Sequence, residues 1–463
     1  MRVLPGRGAL ALAAALTLAL PAGAAELLDA WQAAVRNDKE HAVARAAYAV
    51  AQPRRDQATA LWRPNVGLTA SVGVGSSQTE VQGAQFSAPG FGQASGVGFA
   101  TSINGGSAGR WAITAAQPLY NPQRRAEQQQ LALSADAAEL EWRGAGQSLM
   151  LRTVERYFDL ALAEEAQRVL QRQLGAVLAA AKEAEDRFTI GSAPVTDTHE
   201  ARSRLAAIRA QLLAAGTEVQ LKRQRLADSL GEPAASLVVR LPTGSIEGIP
   251  TRPLEDWLAD ALAGNTAVLL QRLAGDVAAQ EATKYGAGAS AAIDLVAQAS
   301  RDRMSGNGDF GAAGNTAANR SIGVQLTLPL FTGGWRDARQ QEALRLADRA
   351  AAELARAREQ VAQQVRAAWL GTANGAERVR ALEQALLASE SRLDATRVGL
   401  EVGQRTTLDL LNAESDRAAA RLALTQARVG LWLDRLRLAA LAGQLDESAL
   451  RAVDADLEPA TRS

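Results

Sequence analysis

The chain contains no cysteine, which excludes disulfides, thiolate metal sites and the lipidated cysteine that anchors bacterial lipoproteins. Histidine is nearly missing too: His41 and His199 are the only ones in 463 residues, and neither has company at ligand spacing. His41 is expected on a surface helix and His199 beside a helical turn. No charge sign is in excess, because 50 Lys and Arg balance 50 Asp and Glu, so no basic face advertises nucleic acid. Beyond the N-terminus no segment approaches the ~18 uninterrupted apolar residues of a membrane-spanning helix. There is no P-loop, and Gly286-Ala287-Gly288-Ala289-Ser290-Ala291 fits a dinucleotide fingerprint only loosely, since it precedes a strand pattern instead of joining strand to helix. The sequence thus offers no catalytic residue, no metal site and no cofactor site, and any driving energy must come from a partner.

What the chain does have is an internal duplication. RFTIGSAPVTDTHEAR, from Arg187 to Arg202, and GLEVGQRTTLDLLNAE, from Gly399 to Glu414, align with Gly191 on Gly403 and Asp197 on Asp409. Each copy lies between long Ala-, Leu- and Arg-rich helical stretches, and each has a glycine followed by Thr and Asp, the residues of a helix stop and a helix start. Both are expected to be tips of helical hairpins. A second pair, QPLYNPQRRAE from Gln117 and LPLFTGGWRDA from Leu328, repeats at nearly the same spacing. The chain is two tandem copies of strand, strand, long helix, tip and returning helix, expected at about 26–240 and 241–463.

Residues 1–25 carry Arg2 and Arg7, an apolar run from Ala9 to Leu20, then Pro21 and the small residues Ala22-Gly23-Ala24, the pattern of a secretory signal peptide. From Leu27 to Leu61 the period is helical, with Leu27, Leu28, Trp31, Ala34 and Val35 on one stripe and a kink or break expected at Pro53. At Asn65 the period becomes two. Val66, Leu68, Ala70, Val72 and Val74 alternate with small or polar residues, predicting a strand at about 65–75 and its partner at about 110–118. The Gly- and Ser-rich stretch from Gly75 to Gly109 between them is expected to be a long surface loop. The second copy repeats the arrangement, with strands at about 291–300 and 321–329 and a loop from Asp302 to Asn319.

Strands of roughly 9–11 residues cross a bilayer when tilted, but alternation alone fits the half-buried sheet of a soluble domain equally well. The aromatics favour the membrane. Trp62 and Tyr285 precede strands one and three, while Tyr120, Phe331 and Trp335 follow strands two and four. In an up-down arrangement these positions share one rim, as an interfacial girdle does. Four strands cannot close a barrel, and an open edge in hydrocarbon leaves backbone groups unpaired at several kcal/mol each. Oligomerisation is therefore expected. Two chains would give a filled barrel of about eight strands, whereas three would give about twelve with room for a conduit. A homotrimer contacting membrane lipid is therefore expected. The stretches 123–188 and 336–398 predict helices of roughly 90 Å, returning at 195–230 and 407–442, which must pack as hairpins or coiled coils. Gly231 to Pro253, rich in Pro and Gly, is expected to cross between the copies without helix.

RFTIGSAPVTD at 187–197, IGVQLTLPLFTGG at 322–334, VGQRTTLDLL at 402–411 and WRPNVGLTAS at 62–71 together resemble the TolC-like outer-membrane efflux proteins of Gram-negative bacteria, over essentially the whole chain after the leader. The resemblance implies a mixed α-helical and β-barrel fold: a trimeric twelve-stranded transmembrane barrel continued by a periplasmic α-helical barrel. It also implies docking to a periplasmic adaptor (membrane fusion protein) and an inner-membrane ABC or proton-driven transporter. Gly191 and Gly403 then mark adaptor-contacting tips. By motif, Arg405 matches an arginine that latches the closed tips to a Thr-Asp pair, here Thr196 and Asp197, and Asp409 matches a first acidic ring. Two positions depart: Leu400 stands where the family has tyrosine, and Asn412 where it has a second acidic ring. The proline that opens strand one, Pro64, also has no counterpart at Tyr285-Gly286-Ala287-Gly288.

An export duct of the outer membrane is thus expected. An envelope tether built of coiled coil would explain the helices but not four alternating strands with a shared aromatic rim, and a single-chain porin would need more strands and less helix. Within the resemblance the cysteine-free chain fits the non-lipidated members, which commonly serve type I secretion of large proteins such as haemolysins; multidrug efflux is the alternative cargo.

Overall fold

The computed structural model describes residues 27–90, 92–192, 194–243, 252–286, 290–309 and 311–457. The expected signal peptide at 1–25, Gly244 to Pro250 of the crossing segment and Ala287 to Ala289 of the loose glycine motif lie outside the described residues. In chain order the elements are α1 (Leu27–Asn37), α2 (Lys39–Tyr48), α3 (Ala51–Ala60), β1 (Asn65–Ala88), β2 (Gly92–Tyr120), α4 (Pro122–Thr189), α5 (Val195–Leu230), α6 (Leu254–Gly264), α7 (Thr266–Thr283), β3 (Ala292–Gly308), β4 (Gly311–Thr327), α8 (Trp335–Glu401), α9 (Thr407–Leu441) and α10 (Glu447–Ala455), with a 3-10 turn at Ala234–Ser236. The duplicated strand-strand-long helix-helix order is present. The chain divides into two compact units, one of residues 46–142 and 267–358, the other of 1–45, 143–266 and 359–463.

The first of these holds an antiparallel sheet in the order β1-β2-β3-β4. Its strands, of 24, 29, 17 and 17 residues, are much longer than the alternation predicts. The stretches expected as loops are strand: Ser77 pairs with Ile103 and Gln78 with Ser102 in one hairpin, Met304 with Asn315 and Ser305 with Gly314 in the other. Small and polar residues occupy both faces there, so the period-two signal vanishes while the backbone ladder continues. Gly83, Gly96 and Gly105 take positive φ near the bulges, where a side chain would be strained. Near the other end of the sheet the alternation survives and its apolar residues stand in the open: Val72 on β1 is 92% exposed and Ile322 on β4 is 74% exposed. Beside the sheet α3 packs on α4 through Ala51, Ala135 and Ala138, and the Tyr48 and Trp142 rings stack at 5.8 Å. The break expected near Pro53 falls just before it, at Ala49-Val50, and another falls at Asp38; Pro53 itself sits in the first turn of α3, where its missing N–H has no helical partner to lose.

In the second unit Leu27, Ala30 and Ala34 of α1 meet Leu149, Val154, Tyr157 and Phe158 of α4, Leu226 and Leu230 of α5, Leu436 of α9 and Leu450 and Val453 of α10. α1 and α10 are joined by one carboxylate, since Asp454 accepts the Leu27 N–H at 2.7 Å and the Leu28 N–H at 3.0 Å and so satisfies two orphan amides of α1. Asp38 between α1 and α2 is 5% exposed and accepts from the His41 N–H (3.0 Å), the Ser229 hydroxyl (3.0 Å) and Arg152 (2.8 Å), with Arg156 at 3.4 Å. Burial pushes this carboxyl up, but the His41 N–H, the Ser229 hydroxyl and the two guanidiniums outweigh it and hold it below its ordinary value. His41 is the one buried residue of α2, whose neighbours Lys39, Glu40, Ala42 and Val43 are exposed: the helix is at the surface as expected, and this side chain alone turns inward.

Candidate functional site

Both hairpin tips end their outgoing helix in the same way. Gly191 (φ 73°) and Gly403 (φ 75°) adopt the left-handed conformation that glycine takes without strain. The Ser192 N–H donates to Arg187 O at 2.8 Å, and the Gln404 N–H donates to Gly399 O at 2.8 Å, positions related by the alignment of the two copies. Both tips carry exposed aliphatic residues beside the glycine, Ile190 at 79% and Val402 at 65%.

The returning helices start differently. In the second copy Thr406 and Asp409 form a reciprocal capping box: the Asp409 N–H donates to Thr406 Oγ1 at 3.1 Å and the Thr406 N–H donates to Asp409 Oδ2 at 3.0 Å. The Thr406 N–H and hydroxyl on Asp409, aided by the Arg405 and Arg392 charges, hold this carboxyl below its ordinary value. In the first copy proline replaces the capping threonine, so Pro194 gives no side-chain cap, and Asp197 instead receives a 3.4 Å contact from the Thr196 hydroxyl.

The residues carried over from the family are therefore only partly brought together within one chain. Asp409 and Arg405 share the second tip and Thr196 and Asp197 the first, but among the described residues Arg405 makes no hydrogen bond or ion pair with either of them. Its stem lies over Gly399, where an added Cβ would stand 2.6 Å from Arg405 Cγ. Asn412 links the copies, accepting from Arg204 Nη2 of α5 at 3.5 Å. His199 is exposed beside the first tip.

Sequence reasoning missed two buried carboxylates further along the same helices. Glu165 of α4, 5% exposed in its side chain, holds Arg168 and Arg172 at 3.2 Å and Arg421 of α9 at 3.0 Å. Glu414 of α9, 6% exposed, holds Arg397 of α8 at 2.5 Å and Arg417 at 2.9 Å. Buried charges require such pairing. The visible signal was the alignment itself: Arg397 and Glu414 occupy the positions of Glu185 and Arg202, an ion pair of 2.8 Å in the first copy with its signs reversed.

In the sheet unit the register places Asn65 beside Ala116, Tyr120 beside Ile293 and Ala292 beside Thr327, so the starts of β1 and β3 and the ends of β2 and β4 share one end. The five rim aromatics flank that end. The Trp62 indole donates to Gln128 Oε1 at 2.9 Å. Tyr285 meets Trp335 edge to face at 5.8 Å, and Tyr120, Phe331 and Trp335 are exposed.

A family model described as outer membrane efflux protein matches residues 30–232 and 257–444, so both tips lie within it. Outer membrane protein TolC of Vibrio cholerae serotype O1 is 26% identical over 328 residues, which are 71% of this chain and 75% of that protein. Alkaline protease secretion protein AprF of Pseudomonas aeruginosa is 26% identical over 345 residues, 73% of this chain and 70% of that one. The crystal structure of the outer membrane protein VceC from Vibrio cholerae matches with a TM-score of 0.70 at 21% identity, covering 90% of this chain and 96% of that one, a likeness of fold.

Proposed function

This chain belongs to the outer membrane efflux protein family, and we propose that three copies of it form an export duct. As a member it is an outer-membrane efflux channel with a periplasmic extension and not an enzyme. The trimer rests on one observation: β1 and β4 are both open edges of a four-stranded sheet, and both carry exposed aliphatic rows, Val66, Leu68, Val72 and Val74 on one and Ile322, Val324 and Leu326 on the other. Aliphatic rows facing outward suit lipid, and in lipid each edge must find a partner. Pairing β4 of one copy with β1 of the next around a threefold axis closes a barrel of about twelve strands, wide enough for a conduit. The rim aromatics Trp62, Tyr120, Tyr285, Phe331 and Trp335 then lie at one interface. The tips at Gly191 and Gly403 receive a periplasmic adaptor and, through it, an inner-membrane transporter.

For cargo we favour a secreted protein carried by type I secretion. A cysteine-free chain and a relative named for alkaline protease secretion support this. The test is to delete the gene and compare the culture medium and the drug susceptibility of the strain. Loss of one abundant large secreted protein with unchanged susceptibility is expected; an unchanged secretome with raised susceptibility would assign the duct to small-molecule efflux instead.

A further inference from the structure

Between α4, α8 and α9 lies a cavity of about 130 Å³ lined by Arg172, Gln173, Glu390, Glu414, Arg417 and Arg421, and we propose that it is a binding site for a small tetrahedral oxyanion such as phosphate. The first reason is charge. Two buried carboxylates, Glu165 and Glu414, are shared among five guanidiniums, those of Arg168, Arg172, Arg397, Arg417 and Arg421. Glu390, which lines the cavity, and Asp394, 3.6 Å from Arg397, leave a surplus of one positive charge.

The second reason is unused donors. Arg421 gives Nε to Glu165 and Arg417 gives one Nη2 to Glu414, and among the described residues the remaining N–H groups of these two forks have no acceptor. Each fork has five N–H groups, and such forks match oxyanion geometry. They converge from two helices, Arg172 on α4 and Arg417 and Arg421 on α9, which suits an anion with more than two oxygens better than a planar carboxylate.

The third reason is independent of charge. Gln173 is 9% exposed and lines the same cavity, yet among the described residues its side-chain amide has no hydrogen-bond partner. An oxyanion in the cavity can accept the N–H of this amide, which no described protein group uses. The volume holds one such ion with a water or two, at about 30 Å³ per water. An ion held there ties α4 of the first copy to α8 and α9 of the second and neutralises the surplus between them.

The test is isothermal titration of the full mature chain in detergent with sodium phosphate, at low ionic strength in a zwitterionic buffer. Saturable binding of one phosphate per chain is expected, weakening as chloride is raised. Gln173→Leu leaves every ion pair in place and should weaken binding at least fivefold, and Arg421→Gln at least tenfold. Glu390→Gln removes a carboxylate of the lining that has no ion-pair partner among the described residues and should tighten binding severalfold. Thermal melting of each variant without phosphate separates loss of binding from loss of fold. Absence of saturable binding to wild type overturns the proposal, and so does binding unchanged in Gln173→Leu and Glu390→Gln.

Discussion

Replacing Arg405 by serine should open the closed tips, and the structure sets how far. Arg405 is exposed and among the described residues pairs with neither Thr196 nor Asp197, so the proposed latch is a link between neighbouring copies of a trimer. A link between exposed groups contributes only about 0–1 kcal/mol. The threefold axis repeats it, so its loss shifts the closed-open equilibrium by up to ~3 kcal/mol, roughly a hundredfold, enough to turn a ~99% closed population into an even mixture. Single-channel recording in planar bilayers should therefore show raised conductance and frequent long openings for Arg405→Ser. Wild type should move toward that behaviour as salt rises from ~0.1 to ~1 M, because the Debye length falls from ~10 to ~3 Å. Gly399→Ala gives a second perturbation that keeps the charge: its Cβ would stand 2.6 Å from Arg405 Cγ, so the stem must move and the change should have the same sign. Conductance unchanged in Arg405→Ser, with no salt dependence in wild type, would refute the latch.

The mature chain should be a trimer in detergent by mass measurement, and a stable monomer retaining its β structure would exclude the closed barrel. Gly231→Ala should lower the melting temperature, because residue 231 has φ 69° and an added Cβ would lie 2.7 Å from Asn37 Cγ; left-handed strain alone costs about 1–2 kcal/mol. Asp38 is held below its ordinary 3.8 in the folded chain, so its contribution to stability is present above the unfolded value and lost as pH falls through the lower folded one. Acid melting of Asp38→Asn should accordingly lack the wild-type slope below about pH 3.8. A polyvalent cation added from the periplasmic side should block wild type more strongly than Asp409→Ala, and equal block in both would rule out an acidic ring at this position.

The helical framework was legible because its signals are local. The glycine stops at Gly191 and Gly403 and the start at Thr407 predicted the tips to within a residue or two, and α5 runs from Val195 to Leu230 as its pattern implies. The sheet was legible only where one face is apolar. Past Gly75 and Asp302 the strands continue through Gly, Ser and Asn with no face to declare, because a ladder is held by backbone groups that composition does not reveal. Pro53 marked a helix boundary only approximately: a proline is excluded from a helix interior but tolerated in the first turn, so the break lies at Ala49-Val50 just before it. Of the candidate site, Asp409 and Asn412 were visible by motif. Glu165 and Glu414 were not, since a glutamate in a charged helix looks solvated until the neighbouring helix that buries it is in place.

The capping box at the second tip changes what an acidic ring can do. Three crowded carboxylates repel, and repulsion alone raises at least one apparent pKa. Asp409 meets that pressure with an opposing one, because Thr406 donates to its Oδ2 through both the amide and the hydroxyl and holds the carboxyl low. Oδ1 is outside this cap. In the proposed ring, capping would occupy one oxygen and leave the other, and the cap would keep the ring ionised further into acid than crowding alone allows. The first copy has no such arrangement, since Pro194 cannot donate an N–H to Asp197. If the proposed ring forms, its hold on cations therefore rests on Asp409, since Asn412, one turn further along, adds no charge behind it.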